Sequence, residues 1–391
     1  MSLGISVTGT GAVSSAGADV DAMWAAMGLG LPTVRQVGDE FAHMPVRILH
    51  AVDAEVAALP SATGPGTAGR TAALAATAAR EALAAAGPDA EPVDPRRVGV
   101  VVGTGMGESG EHERRREGAP TSASADQPLF GVAAEVAHAI GARGPAVSVS
   151  NACAASAYAI ALAADMLLDG ECDAVLVLGA ESYSRVALGC FNRMGAVDPL
   201  GCRPFAEKRA GTVFGEAAAA LVLERTADAR RRGAPVLAEL LAVATSCDAG
   251  HPTAPDPAGE QAARSLREAL ESAGVQPADV GAVLPHGTGT QLNDAVEADV
   301  LRTAFDGRPV PLYSLKALVG HTGGAAGALA AVAAVEIARH GEVPANVDVG
   351  DLDPESRVRV DRSPTPAAGA VVVNAYAFGG NNATLVLAGA P

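Results

Sequence analysis

The sequence predicts an α/β fold built as two similar layered halves, and three observations carry that prediction. Val- and Ile-rich strand-like runs alternate with Ala/Leu helical stretches, and the same alternation begins again at Val236. Gly and Ala are abundant while aromatics make up only 3 %, which calls for close packing of small side chains. In the first half, Ile5–Thr8 reads as a strand, Thr67–Ala86 as a helix, Val98–Val102 as a strand, Val132–Ile140 as a helix and Ala146–Ser150 as a strand. In the second, strand-like Val236–Val243 precedes a helix over Gln261–Ala273, a strand Val280–Leu284, a helix Asn293–Ala304 and a strand Val310–Ser314. A glycine-broken helix, Ala325–Ala338, and the strands Ala370–Asn374 and Thr384–Ala388 complete it. Such repetition is what a duplicated fold produces, with residues 1–245 and 246–391 as its halves. Gly107–Gln127, charged and then rich in Ser, Thr and Pro, has no apolar period and reads as a surface loop; Gly341–Pro366 reads as a second irregular connection.

An apolar fraction of 49 % over 391 residues supplies a substantial core. A net charge of −16 argues against nucleic acid or an anionic membrane as partner, since both require dense positive charge. The opening residues lack a basic region followed by an apolar one, so no secretory signal is expected. The run Gly323–Ala338 contains Glu336 and reads as a buried helix rather than a membrane span. Five cysteines without a CxxC pair disfavour a disulfide framework and a zinc site; no metal is expected, and a reducing cytoplasm fits.

Four clusters carry chemistry. In Ala146-Val-Ser-Val-Ser-Asn-Ala-Cys153 a short strand turns into an Ala-rich helix with Cys153 at the junction. The helix N-terminus there favours a thiolate, hence a nucleophile. Composition alone makes any cysteine a small core residue, and Cys172, Cys190, Cys202 and Cys247 keep that reading. In His286-Gly-Thr-Gly-Thr a strand end delivers a histidine into a loop whose glycines admit a ligand while Thr288 and Thr290 offer hydroxyls. Lys316 and His321 stand at another strand end ahead of a helix; Lys316 is one of only two lysines, which hints that a compact ammonium is needed there. Asn374-Ala-Tyr376-Ala-Phe378-Gly379-Gly, after an apolar strand, joins aromatics to a flexible pair suited to a gate, or is simply a turn between strands.

Together, in the order Cys, HGTGT, Lys, GHxxGAAG and Phe-Gly-Gly, these clusters resemble the β-ketoacyl synthases, in the branch that includes fatty-acid elongating enzymes and polyketide ketosynthases. The resemblance spans essentially the whole chain and implies a thiolase-like duplicated five-layer α-β-α-β-α fold. It implies a stand-alone enzyme catalysing decarboxylative Claisen condensation, with Cys153 accepting an acyl chain and His286 and His321 stabilising the enolate of a malonyl-type extender. By the same resemblance the amides of Cys153 and Phe378 form the oxyanion hole, Phe378 gates, and Lys316 orients the histidines. Thr288, Thr290, Tyr376 and Gly379 contact the substrate. Fatty-acid elongating members usually carry a glutamate that pairs with the lysine, where this chain has Ala330; polyketide ketosynthases often lack it too, and Glu297 is the substitute partner expected here; Asn381 stands where threonine is common.

No cofactor is expected to stay bound; phosphopantetheine arrives on an acyl carrier protein. A homodimer is implied, or a heterodimer with a chain-length-factor-like subunit. Arg70, Arg203 and Arg209, and less so Arg114–Arg116, are candidates to dock the acidic carrier. A repurposed ketosynthase that performs acyl transfer, aldol-type cyclisation or lactonisation is the alternative.

Overall fold

The computed structural model describes residues 3–39, 43–53, 69–87, 89–119, 121 and 129–390. Nine strands share one mixed sheet: β1 Ile5–Ser14, β2 Val98–Gly103, β3 Ala146–Val149, β4 Ala174–Glu181, β5 Ala217–Arg225, β6 Ala238–Cys247, β7 Val280–Leu284, β8 Ala370–Ala377 and β9 Asn381–Gly389. Their order is β3-β2-β4-β5-β1-β6-β9-β8-β7, so the first and sixth strands meet at the centre and each half spreads outward from them. The helices are α1 Val20–Leu29, α2 Arg70–Ala85, α3 Ser109–Arg116, α4 Phe130–Ile140, α5 Ala155–Leu168 and α6 Arg185–Arg193. They continue with α7 Thr226–Arg232, α8 Glu260–Ala273, α9 Gln291–Ala304, α10 Leu315–Val319 and α11 Ala326–His340.

Three apolar clusters follow from this order. The strands of the first half pack α2 on one face, those of the second half pack α8 on one face, and α5 and α11 lie between the halves. That central layer is close because its residues are small: a Cβ on Gly327 of α11 would stand 2.8 Å from the Ala157 nitrogen of α5. Layered helices and a repeated strand set are the α/β architecture the alternation predicts. Among the described residues no helix is long and apolar enough to cross a membrane.

Four local readings change. Thr67 and Ala68, the expected start of a helix, lie outside the described residues, and the helix is described from Arg70. The supposed loop Gly107–Gln127 contains α3, while its residues 120 and 122–127 lie outside the described set. Two of its carboxylates make tertiary contacts, while Arg114–Arg116 are exposed. Glu111 is buried, and the Glu113 carboxylate accepts from the amides of Arg185 and Val186 and from Ser184 Oγ, capping α6. Val310–Ser314 lies beside β7 in the place of a fifth strand but bonds only as isolated bridges, Val283 to Leu312 and Pro311 to Arg359. Pro311 denies it a ladder donor. The inner strands β4 and β5 were not foreseen, because strands buried on both faces lose the alternation that marks a strand, and Ala217–Ala220 reads as helix as easily.

Candidate active site

Strand ends on the two halves deliver the reactive groups to one place. After β3 the backbone passes through Ala152 at φ 47° into a three-residue turn, Ala152–Ala154, and only then into α5. A left-handed alanine costs about 1–2 kcal/mol, and the strain is localised where it turns Cys153 out of the chain direction. The Cys153 sulfur lies 2.9 Å from Nε2 of His321. His321 follows α10 and is held as if in a strand: its amide donates to the Val213 carbonyl at 2.6 Å and its carbonyl accepts from Gly215 at 3.1 Å. Gly320 before it adopts φ 71°, ψ −174°, where a Cβ would stand 2.6 Å from the His50 ring and 2.7 Å from the Val213 oxygen. Only glycine serves there.

His286 ends β7, and its ring meets that of His321 edge to face, centroids 5.5 Å apart at 89°. The Glu297 carboxylate on α9 accepts from the amides of His286 and Gly287, both at 2.7 Å. Lys316 Nζ donates to the His286 carbonyl. The expected Lys316–Glu297 contact pair is therefore not what forms. The carboxylate is taken by two amides and the ammonium by a carbonyl, so the two charges flank one residue and act on each other through the field: burial lowers the Lys316 pKa, and Glu297 is the strongest influence opposing it. Ala330, where family members carry a glutamate, lines a void of about 10 Å³ with Lys316.

Burial dominates the electrostatics. It pushes the Cys153 thiol up to about 12, with the Lys316 charge pulling the other way and Glu181 adding to the rise. Burial, then the Lys316 cation, holds both His286 and His321 well below the usual imidazole range. Glu297 rises to about 7, also through burial. The expectation of a standing thiolate is thus corrected: removal from water outweighs the helix N-terminus, and the resting pair is a neutral thiol against a neutral imidazole. Such a pair passes its proton during attack rather than before it.

Cys153, His286, His321, Thr288, Thr290, Tyr376 and Phe378 all line one cavity of about 340 Å³. The two threonine hydroxyls are 2.8 Å apart on one wall. Phe378 stacks on Phe191 at 5.3 Å, Phe191 meets Phe214 edge-on at 4.7 Å, and Phe214 stacks on His321 at 6.0 Å, a ladder of rings from the gate position to the base. Lys316 and Gly379 do not line the cavity. Lys316 works from behind His286, and Gly379, at φ 83°, kinks the turn after Phe378 while its amide donates to the Pro252 carbonyl. Phe191, Met194 and Asp248 also line the wall. They sit in no motif that marks them, and only tertiary folding brings them there. The arginines expected to dock a carrier are spent internally: Arg70 on Glu216, Arg203 on Asp198, and buried Arg209 on Asp353.

Residues 4–229 match the family model of the β-ketoacyl synthase N-terminal domain, and residues 237–350 that of the C-terminal domain. The chain is similar to 3-oxoacyl-[acyl-carrier-protein] synthase 2 of Mycobacterium tuberculosis, 34 % identical over 312 residues and 75 % of each chain. It is also similar to the tetracenomycin polyketide synthase ketoacyl synthase alpha subunit of Streptomyces glaucescens, 32 % identical over 376 residues, 89 % of this chain and 88 % of the relative. Among solved structures, the ishigamide ketosynthase/chain length factor superposes with a TM-score of 0.89 at 30 % identity over 99 % of both chains. The chain belongs to the β-ketoacyl synthase family, with its thiolase-like fold. It is a ketosynthase, an acyltransferase of polyketide and fatty-acid synthesis.

Proposed function

We propose that this ketosynthase elongates a carrier-bound acyl chain by decarboxylative Claisen condensation, with Cys153 as nucleophile. The observation that carries the reading is one cavity exposing a thiol 2.9 Å from an imidazole, with a second imidazole set at right angles beside it. In the first step the sulfur attacks the carrier thioester while its proton passes to His321 Nε2. The acyl group stays on sulfur, and the carrier thiol leaves with that proton. The amides of Cys153 and Phe378 receive the oxyanion. In the second step a malonyl-type thioester binds, with Thr288 and Thr290 against its pantetheine arm. Carbon dioxide leaves, and the electron pair remains on the enolate, whose oxygen accepts from His286. The enolate carbon then attacks the acyl-enzyme, and Cys153 leaves as a thiolate that takes a proton from water. A neutral imidazole suits this step, because it can donate a proton in a hydrogen bond without starting as a cation that would hold the malonyl carboxylate.

The test is mass spectrometry of the carrier-bound product. Loss of carbon dioxide with a two-carbon gain supports elongation. An unchanged carbon count assigns the site instead to acyl transfer or cyclisation, the reading that Ala330 in place of the family's glutamate keeps open.

The partner is an acidic acyl carrier protein, and since Arg70, Arg203 and Arg209 are ion-paired, two other cations are better placed to dock it. Arg193 and Lys208 are exposed and have no acidic partner among the described residues. Arg193 adjoins cavity-lining Met194, and Lys208 lies two residues before cavity-lining Ala210. Leu292, 62 % exposed, and Met194, 47 % exposed, supply an apolar rim between them. Reversing both charges, Arg193→Glu with Lys208→Glu, is expected to raise KM for acyl-carrier substrate about tenfold, most strongly at low salt, and to leave acylation by a small acyl-pantetheine mimic unchanged. Equal slowing of both substrates would remove this docking surface.

The edge strand β3 leaves every residue half-buried and one ladder face unpaired, which supports dimerisation through this edge, with a second copy or with a chain-length-factor-like subunit. Five free cysteines support a cytoplasmic setting.

A further inference from the structure

Tyr376 brings a buried hydroxyl to the cavity wall. Its side chain is 6 % exposed, and among the described residues its oxygen has no hydrogen-bond partner. Such a group costs about 1–3 kcal/mol if left unpaired in the working enzyme, so its acceptor needs to be found. The alternation of β8 places Asn374 and Tyr376 on one face, where the Asn374 amide donates to Glu297 and Tyr376 lines the cavity. The ring packed against Tyr376 on that face is His286, centroid to centroid 6.0 Å with a 45° tilt. His286 Nδ1 is likewise buried without a partner. A phenol is a donor and a neutral imidazole nitrogen an acceptor, so two neighbouring rings carry complementary groups that the structure leaves unbonded.

We propose that Tyr376 is a positioning residue for His286: its hydroxyl turns onto Nδ1 and donates to it, and so fixes the ring proton on Nε2. The inference rests on the reaction proposed above. There His286 has to present a proton to the enolate oxygen, and a neutral imidazole can do so from Nε2 only if Nδ1 is the acceptor. The burial that keeps His286 neutral makes the choice of tautomer decisive, since a ring with its proton on Nδ1 would turn a lone pair toward a developing negative charge. The other polar groups facing this corner do not serve. Glu297 is occupied by the amides of His286 and Gly287, Lys316 by the His286 carbonyl, and Asp248 accepts from Asn382.

The experiment is Tyr376→Phe, which removes one oxygen and keeps the ring. Two readouts are taken on the full chain. In ¹⁵N-histidine NMR, with His286 assigned by the signals lost in His286→Gln, the wild type is expected to show the Nε2–H tautomer and the variant a mixture or the Nδ1–H form. In kinetics, malonyl-thioester decarboxylation and condensation are expected to fall about 10- to 100-fold, several times more than acylation of Cys153, which uses His321. An unchanged tautomer overturns the proposal, as does an equal loss in acylation and decarboxylation, which is what simple loosening of the wall would produce. If the wild type decarboxylates nothing, the condensation reading fails, and the tautomer comparison still decides the Tyr376 assignment by itself.

Discussion

Cys153→Ser is expected to abolish covalent acylation and lower turnover by roughly four orders of magnitude or more, without unfolding the chain. The substitution exchanges one second-row atom in a half-buried turn, so the fold should tolerate it. A hydroxyl is a far weaker nucleophile than sulfur, and nothing in the site compensates. The neutral state of the pair adds a pH signature. Burial holds the thiol near 12 and His321 well below its usual range, so no thiolate–imidazolium pair stands ready at neutral pH. Alkylation of the wild-type cysteine by iodoacetamide should therefore keep climbing with pH through the neutral and mildly alkaline range. A preformed ion pair would give a plateau there instead. Intact-protein mass after exposure to an acyl-carrier substrate checks the first claim, and the alkylation profile checks the second. A Cys153→Ser chain that still gains the acyl mass would place the nucleophile elsewhere. Buried Cys202, 3.3 Å from the Thr288 carbonyl, would then be the sulfur to trap next.

The fold class was legible because its cause is local. Val/Ile runs and Ala/Leu runs have different periods, and their alternation survives without knowledge of contacts. The strand-to-helix turn at Cys153 and the HGTGT and GHxxGAAG loops were legible for a related reason: glycine and small residues must stand next to the reactive side chain for the backbone to make the turn. Gly320 before His321 is the clearest case, since the left-handed backbone and the His50 ring above it leave no room for a Cβ. Electrostatic state was not legible. Whether Cys153 is a thiolate depends on how much water the fold removes, and that outcome reversed the inference drawn from its helix. Ion-pair partners were equally hidden. Arg70, Arg203 and Arg209 look available as text and are spent once Glu216, Asp198 and Asp353 fold against them. Glu297 was correctly drawn to this corner but for a different contact, because a strand-end loop offers two amides closer than the ammonium behind it.

Lys316→Met is the second large effect, and its direction follows from what the lysine faces. The ammonium is buried behind His286, lowers the pKa of both histidines and favours the Cys153 thiolate. Methionine fills much the same space without charge. Three consequences have fixed signs. Without the cation the thiol rises further, so acylation slows, by about a hundredfold if the charge acts at full strength in this water-poor site. Without it the two imidazoles are easier to protonate. Their pKa values move up toward the ordinary range, and the acid limb of the pH–rate profile moves to higher pH. The Glu297 carboxylate also loses a charge that helps keep it ionised, so it takes up a proton at higher pH or costs stability if it stays charged. Glu297→Gln alone leaves a buried cation uncompensated and should be destabilising too. The double variant should lose less than the sum of the singles, because each single change strands the other's charge. Thermal midpoints of the four proteins measure that coupling, and pH–rate profiles measure the shift of the acid limb. Additive losses together with an unmoved acid limb would mean that Lys316 only fills space, and the electrostatic account of the site would have to be given up.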